Sequence, residues 1–167
     1  MFSVGDKIVY PMHGAGIIQN IEEKEVDNQT SVYYVLTIPV GNLTVTISSK
    51  KTDVLGIRYI KTQEEILGII DSFNQMPQGI PDNWNKRYEY NLEKIKTGEL
   101  CQALEVYLSL YMRERMKGLS GIEKRLLSIA KQVILSELIV SQDTDKLSAE
   151  NMLKGIVSRF NATDAYA

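Results

Sequence analysis

The apolar residues of this chain change their spacing near residue 60, and that change limits the fold more than any other feature. Before it, β-branched and aromatic residues come in short runs or strict alternation: Lys7–Tyr10, Ile17–Val26, Val32–Ile38 and Leu43–Ser48, with Gly56-Ile57-Arg58-Tyr59 as a last short segment. Alternation turns one side of a strand toward a core and the other toward solvent. The segments between them, Pro11–Gly16, Asp27-Asn28-Gln29 and Pro39–Asn42, carry turn residues. Five short strands joined by tight turns predict a small, strongly bent barrel of the SH3/Tudor type over residues 1–60.

After residue 60 the period becomes helical. Thr62-x-x-Glu65 has the form of a capping box and precedes Ile66, Leu67, Ile69, Ile70 and Phe73. Residues 74–83 hold Pro77, Gly79 and Pro81 and read as a loop, so 61–82 is expected to be a helix and linker. A second helix is expected from Asn83 to Lys96, ending at Thr97-Gly98. A third carries Leu100, Leu104, Tyr107, Leu108 and Tyr111. Ser120-x-x-Glu123 opens a fourth, with Leu126, Ile129, Val133, Ile134 and Leu138 on one face, and a fifth is expected from Ser148 to Phe160. The fold class is therefore α+β, a β-module followed by a compact all-α module over residues 83–167.

Composition narrows the function classes. With 44% hydrophobic and 24% charged residues, the chain can bury a core. One cysteine, Cys101, permits no internal disulfide and suits a reducing compartment. Nothing resembles a signal peptide or the roughly 20 apolar residues of a membrane span, so the expected location is the cytoplasm. The net charge of −2 hides a local pattern: residues 84–131 hold 10 Lys/Arg against 6 Asp/Glu. Such a segment can touch phosphate, and it is equally at home on a solvated helix pair.

Catalysis is not expected. The single histidine, His13, sits in a Gly-rich turn, and Cys101 reads as a small buried thiol. Gly14-Ala15-Gly16 lacks the third glycine of a dinucleotide motif and lies between strands rather than before a helix. No metal-ligand spacing is present, and neither cofactor nor metal is expected.

The sole tryptophan is the most informative residue. Trp84 follows Pro81-Asp82-Asn83 and is flanked by Asn85, Lys86 and Arg87. It shares a helical phase with Tyr88, Leu92 and Ile95 and could begin a buried stripe. It could equally project from the first helical turn, a flat wedge whose basic and amide neighbours hold phosphates.

Four motifs in order carry a family resemblance that extends over nearly the whole chain. They are Val4-Gly5-Asp6-x-Ile8-Val9-Tyr10-Pro11-x-His13-Gly14; Gly41-Asn42-Leu43-Thr44-Val45; Asn83-Trp84-x-x-Arg87-Tyr88-x-x-Asn91-Leu92-Glu93-Lys94; and Gly118-Leu119-Ser120-x-x-Glu123-Lys124. Together they resemble the CarD/CdnL family of bacterial transcription regulators. The resemblance implies a Tudor-like module that binds the β subunit of RNA polymerase, similar to that of transcription–repair coupling factor. It also implies a helical module at the upstream edge of the transcription bubble, with Trp84 as the wedge that stabilises the open complex. The expected DNA contacts are Asn83, Trp84, Lys86, Arg87, Lys124 and Arg125. The expected polymerase contacts are Lys24 and the strand residues Leu43, Thr44, Val45, Thr46 and Ile47. The chain is expected to act as a monomer when bound and to be nucleoid-associated through polymerase.

Two positions depart from the pattern. Lys24 and Thr46 stand where family members often have arginine; lysine keeps the charge without the bidentate fork, and threonine keeps neither. Polymerase contact then rests more on backbone pairing, or is weaker. The competing reading is a protein–protein adaptor with a peptide-binding barrel and no DNA role. A stand-alone DNA-binding protein fits poorly with a charge of −2, because affinity for free DNA comes mostly from phosphate neutralisation.

Overall fold

The computed structural model describes residues 1–161. The final residues of the helical segment expected over 83–167, numbers 162–167, lie outside the described residues. Five strands precede five helices: β1 (Lys7–Tyr10), β2 (Gly14–Val26), β3 (Gln29–Ile38), β4 (Leu43–Ser48), β5 (Arg58–Tyr59), α1 (Gln63–Ser72), α2 (Trp84–Lys96), α3 (Leu100–Met116), α4 (Gly121–Gln142) and α5 (Lys146–Asn161). The fold is α+β, as the change of period predicts. None of the described helices is long and apolar enough to cross a membrane.

The strands form one antiparallel sheet in the order β4-β3-β2-β1-β5. Asp27 and Asn28, at φ 51° and 62°, make the two-residue turn between β2 and β3, a conformation matched to strand twist and tolerated by Asp and Asn. The β2–β3 register shifts between Ile18 and Asn20, a bulge that bends the sheet. Ile8, Ile18, Tyr34, Leu36, Ile38 and Ile47 fill the concave side.

The stretch Gly14–Gly16 belongs to a strand rather than to the turn expected from its glycines. Met12 takes the left-handed conformation of that turn, at φ 71°. The glycines are needed for close approach. A Cβ on Gly14 would lie 2.4 Å from Ser136 Oγ on α4, and one on Gly16 would lie 2.4 Å from the Thr37 carbonyl on β3.

The helices share one core that includes Ile66, Ile70 and Phe73 of α1. Thus α1 packs with the helical body, and Arg159 of α5 donates to its last carbonyls, Ile70 O at 2.6 Å and Phe73 O at 3.2 Å. Helix α5 starts two residues before Ser148, because Asp145 supplies the cap and accepts from Ser148 N at 2.8 Å.

Helix α4 joins the two bodies. Val140 packs against Val9 and Ala15, and Ser136 Oγ accepts from Ala15 N at 2.9 Å. Arg58 of β5 donates to both oxygens of Glu137 at 3.0 Å and to Gly98 O at 2.7 Å. The β-module is therefore fastened both to α4 and to the loop between α2 and α3.

Candidate functional site

Two surfaces collect the residues singled out in the sequence. The first lies where α2 and α4 begin. Asn83 caps α2, its Oδ1 accepting from Asn85 N at 3.0 Å and Lys86 N at 3.2 Å. Trp84 is the first residue of the helix and is 49% exposed. The buried stripe of α2 is Arg87, Asn91 and Ile95, with Tyr88 and Leu92 flanking it against the core. Trp84 stands one turn before this stripe, on the same phase, and stays half exposed at the start of the helix.

Arg87 is not available to phosphate, a correction to the expected DNA contacts. It is 4% exposed and engaged from three nitrogens. Nε and Nη2 form a two-point pair with Glu123 at 2.7 and 2.9 Å, and Nη1 donates to Asp82 O at 2.6 Å. Glu123 lies in the first turn of α4, behind the cap Ser120, whose hydroxyl donates to Glu123 Oε1 at 3.0 Å and accepts from Glu123 N at 3.3 Å. Burial alone would raise the Glu123 carboxyl, but the hydrogen bonds from Arg87 and Ser120 outweigh it and hold the group below its ordinary range.

This pair draws two helix starts together. Both carry the positive end of a helix dipole, with Asn83 and Ser120 already capping several of the first N–H groups. Lys86, Lys124 and Arg125 stand exposed on the same first turns; Lys124 approaches Glu114 only loosely, at 4.0 Å. Asn83, Trp84 and Lys86 open α2, and Lys124 and Arg125 lie in the opening turns of α4, the two helix starts that the pair links. The pairing of Arg87 with Glu123 escaped sequence reading because polar residues occupy the buried stripe. The only hint was their spacing: Arg87 and Asn91 precede Ile95 by eight and four residues, the phase of a buried face.

The second surface is β4. It pairs only with β3 among the described residues and forms an edge of the sheet. Ser49 N donates to Val32 O at 2.9 Å, directly across the extended register. Hydrogen-bonded pairs alternate in an antiparallel ladder, so Leu43, Val45 and Ile47 bond inward to β3. The main-chain groups of Thr44, Thr46 and Ser48 face the open edge. Ile47 is 2% exposed and Val45 packs against the barrel core, so neither side chain is presented; Leu43 is 39% exposed. Thr44 and Thr46 share a face with Lys24, because directly opposed residues lie on one side of a sheet. Lys24 pairs with Ser31 and Thr46 with Val35, so they sit apart along β3; Lys24 is exposed, 3.7 Å from Glu22 and 5.2 Å from the Tyr33 ring centroid.

The candidate reactive groups are elsewhere. His13 is exposed, with Nδ1 3.2 Å from Pro11 O and its ring against Tyr10. Cys101 is exposed rather than buried, a correction, and partial burial pushes its thiol above the ordinary value with Glu105 adding to the effect. Among the described residues no three His, Cys, Asp or Glu side chains gather as a metal site.

Comparison with known proteins matches both bodies. The CarD-like/TRCF RID domain corresponds to residues 2–61 and the CarD C-terminal domain to residues 68–154. A protein of Bacillus subtilis (strain 168) named "Putative transcription factor YdeB" is 40% identical over 143 residues, covering 84% of this chain and 92% of its own length.

Proposed function

We propose, since the chain belongs to the CarD family of transcription factors, that it binds the RNA polymerase β subunit through its β-module and upstream-fork promoter DNA through its helical module, stabilising the open complex. The family is one of transcription factors, not of enzymes, and its N-terminal domain is a polymerase-interacting one. The reading assigns the chain a binding role in the cytoplasm, with polymerase as its anchor and no catalytic step of its own.

The observation that carries the DNA half is Trp84, half exposed on the first turn of α2 beside Lys86 and next to the start of α4. A rigid aromatic wedge at a distorted base step needs area and a fixed pose, not sequence readout. Lys86, Lys124 and Arg125, with Asn83 and the helix N-termini, supply partners for phosphates on either side. The polymerase half rests on the open edge of β4, which can accept a strand through the main chain of Thr44 and Thr46, with Lys24 on the same face. Tethering to polymerase raises the local DNA concentration, so contacts too weak for free DNA become effective.

The test is Trp84→Ala, measured for melting and for open-complex decay with polymerase on a promoter. Truncating a half-exposed side chain is expected to cost less than about 1 kcal/mol of stability. Loss of ~1.4 kcal/mol of open-state stabilisation would make decay about tenfold faster. Normal decay by the folded variant would refute the wedge. Failure of the wild-type chain to retain core polymerase would favour the adaptor reading.

A further inference from the structure

We infer that Arg87 and Glu123 are positioning residues: their buried ion pair fixes the pose of Trp84 and its spacing from Lys124 and Arg125, so that wedge and phosphate contacts meet DNA as one rigid unit. This rests on the wedge reading of Trp84 and adds residues that touch no DNA.

The geometry brackets the tryptophan. Arg87 Nη1 holds the Asp82 carbonyl at 2.6 Å, two residues before Trp84, and the guanidinium itself lies three residues after it. The other two nitrogens grip Glu123 at 2.7 and 2.9 Å, on a different helix. Glu123 is fixed in turn by Ser120, on the far side of the α4 cap. One guanidinium thus ties the chain entering α2, the first turn of α2 and the first turn of α4. Lys124 and Arg125 follow Glu123 in the helix, so the backbone that carries them is held with it.

A merely stabilising role would not require this chemistry. The pair is almost wholly enclosed, with side chains 5% and 1% exposed. Two charges taken out of water cost about as much as their attraction returns, so apolar residues of similar size are often equally stable there. What apolar residues lack is direction. They can slide and repack, whereas a two-point guanidinium–carboxylate contact fixes distance and angle. Pre-organisation of this kind lowers the ordering cost when the wedge engages.

The experiment compares the double variant Arg87→Met/Glu123→Leu with Trp84→Ala, Arg87→Lys and the wild type, all as the full chain. Three readouts are taken: melting, iodide quenching and anisotropy of Trp84 fluorescence, and open-complex lifetime with polymerase. Trp84 is the only tryptophan, so its emission reports this site alone. The double variant is expected to melt near wild type, to show a more quenchable and more mobile Trp84, and to shorten the lifetime about threefold or more. Arg87→Lys keeps charge without the fork and is expected to fall between. A folded double variant with wild-type lifetime overturns the positioning role while leaving Trp84 as the wedge, provided Trp84→Ala still shortens the lifetime. Wild-type lifetime in Trp84→Ala overturns the wedge reading and the positioning role with it. If the double variant unfolds, Arg87→Lys decides: a folded Arg87→Lys with unchanged quenching and lifetime overturns the inference, and a change in both supports it.

Discussion

Arg58 and Arg87 each face a buried carboxylate, yet the two carboxylates shift in opposite directions. Glu123 is held below its ordinary range because hydrogen bonds from Arg87 and Ser120 outweigh its burial. Its contribution to stability is present above its unfolded pKa and is lost as pH falls through the lower folded value. Glu137 is fully buried, and burial raises its carboxyl in spite of Arg58. A group raised by folding favours the folded state below its unfolded pKa, and that contribution disappears as pH rises through the folded value. When Glu137 is ionised, the Arg58 guanidinium at 3.0 Å is the partner that meets its charge. Arg58→Ala is expected to cost about 3–5 kcal/mol near neutrality, the penalty for a buried charge without its partner. The loss should shrink at a lower pH, because Glu137, with its raised value, takes up a proton before Glu123, with its lowered one. Urea denaturation of wild type and variant at both pH values checks the sign; a gap that widens on acidification would contradict this account.

At the scale of elements, β4 separates what its side chains do from what its backbone does. Val45 and Ile47 face the core, and the ladder bonds belong to the residues of the same parity, Leu43, Val45 and Ile47. The polar residues between them carry the free main-chain groups, so the strand can pair without uncovering the core. Substitutions along it should therefore divide by parity. Thr46→Pro removes a donor that faces the open edge, and proline is tolerated at such positions. It is expected to leave the sheet intact and to weaken binding of the β subunit about tenfold or more, given that strand addition draws its affinity from main-chain bonds. Val45→Pro removes a bond to Leu36 and should disrupt β4 itself. Circular dichroism and a binding titration on both variants test the assignment; full affinity in a folded Thr46→Pro would exclude the β4 edge. Similar reasoning explains α2, whose buried stripe begins with two polar residues, Arg87 and Asn91, and only then becomes apolar at Ile95.

Over the whole molecule, α4 makes the two bodies interdependent. It lies in the helical core through Leu126, Ala130, Val133, Ile134 and Leu138. It also meets β2 at Ala15 and β5 through Glu137 and Arg58. A polymerase-bound β-module would thus present the helix starts in a fixed direction. Gly14→Ala probes this coupling. The new Cβ would meet Ser136 Oγ at 2.4 Å, and Gly14 has φ 120°, which non-glycine residues rarely adopt. The substitution is expected to cost about 2–3 kcal/mol and to lower the melting of both bodies together in one transition. Calorimetry that resolved two transitions, with only the β-module shifted, would show that the interface transmits nothing.

The sequence by itself determined the order and type of the elements, because strand and helix periods, capping residues and turn residues act over only a few positions. The capping box at Thr62–Glu65, the Asp27-Asn28 turn and the end of α2 at Gly98 needed nothing more than local chemistry. That the start of α2, with Trp84 and Lys86, lies against the start of α4, with Lys124 and Arg125, was not legible there. Tertiary structure decided which charged residues are buried in ion pairs and which stand in water. Residue type does not distinguish Arg87 from Lys86, both cations in the first turns of one helix, and their phase relative to Ile95 is the sole local difference. Only the approach of α4, which sets the Glu123 carboxylate against α2, buries one and leaves the other in water. The same holds for Gly14 and Gly16, where the glycines serve contacts with Ser136 and Thr37 that lie far along the chain. Burial depends on long-range packing, and so the role of a charge does too.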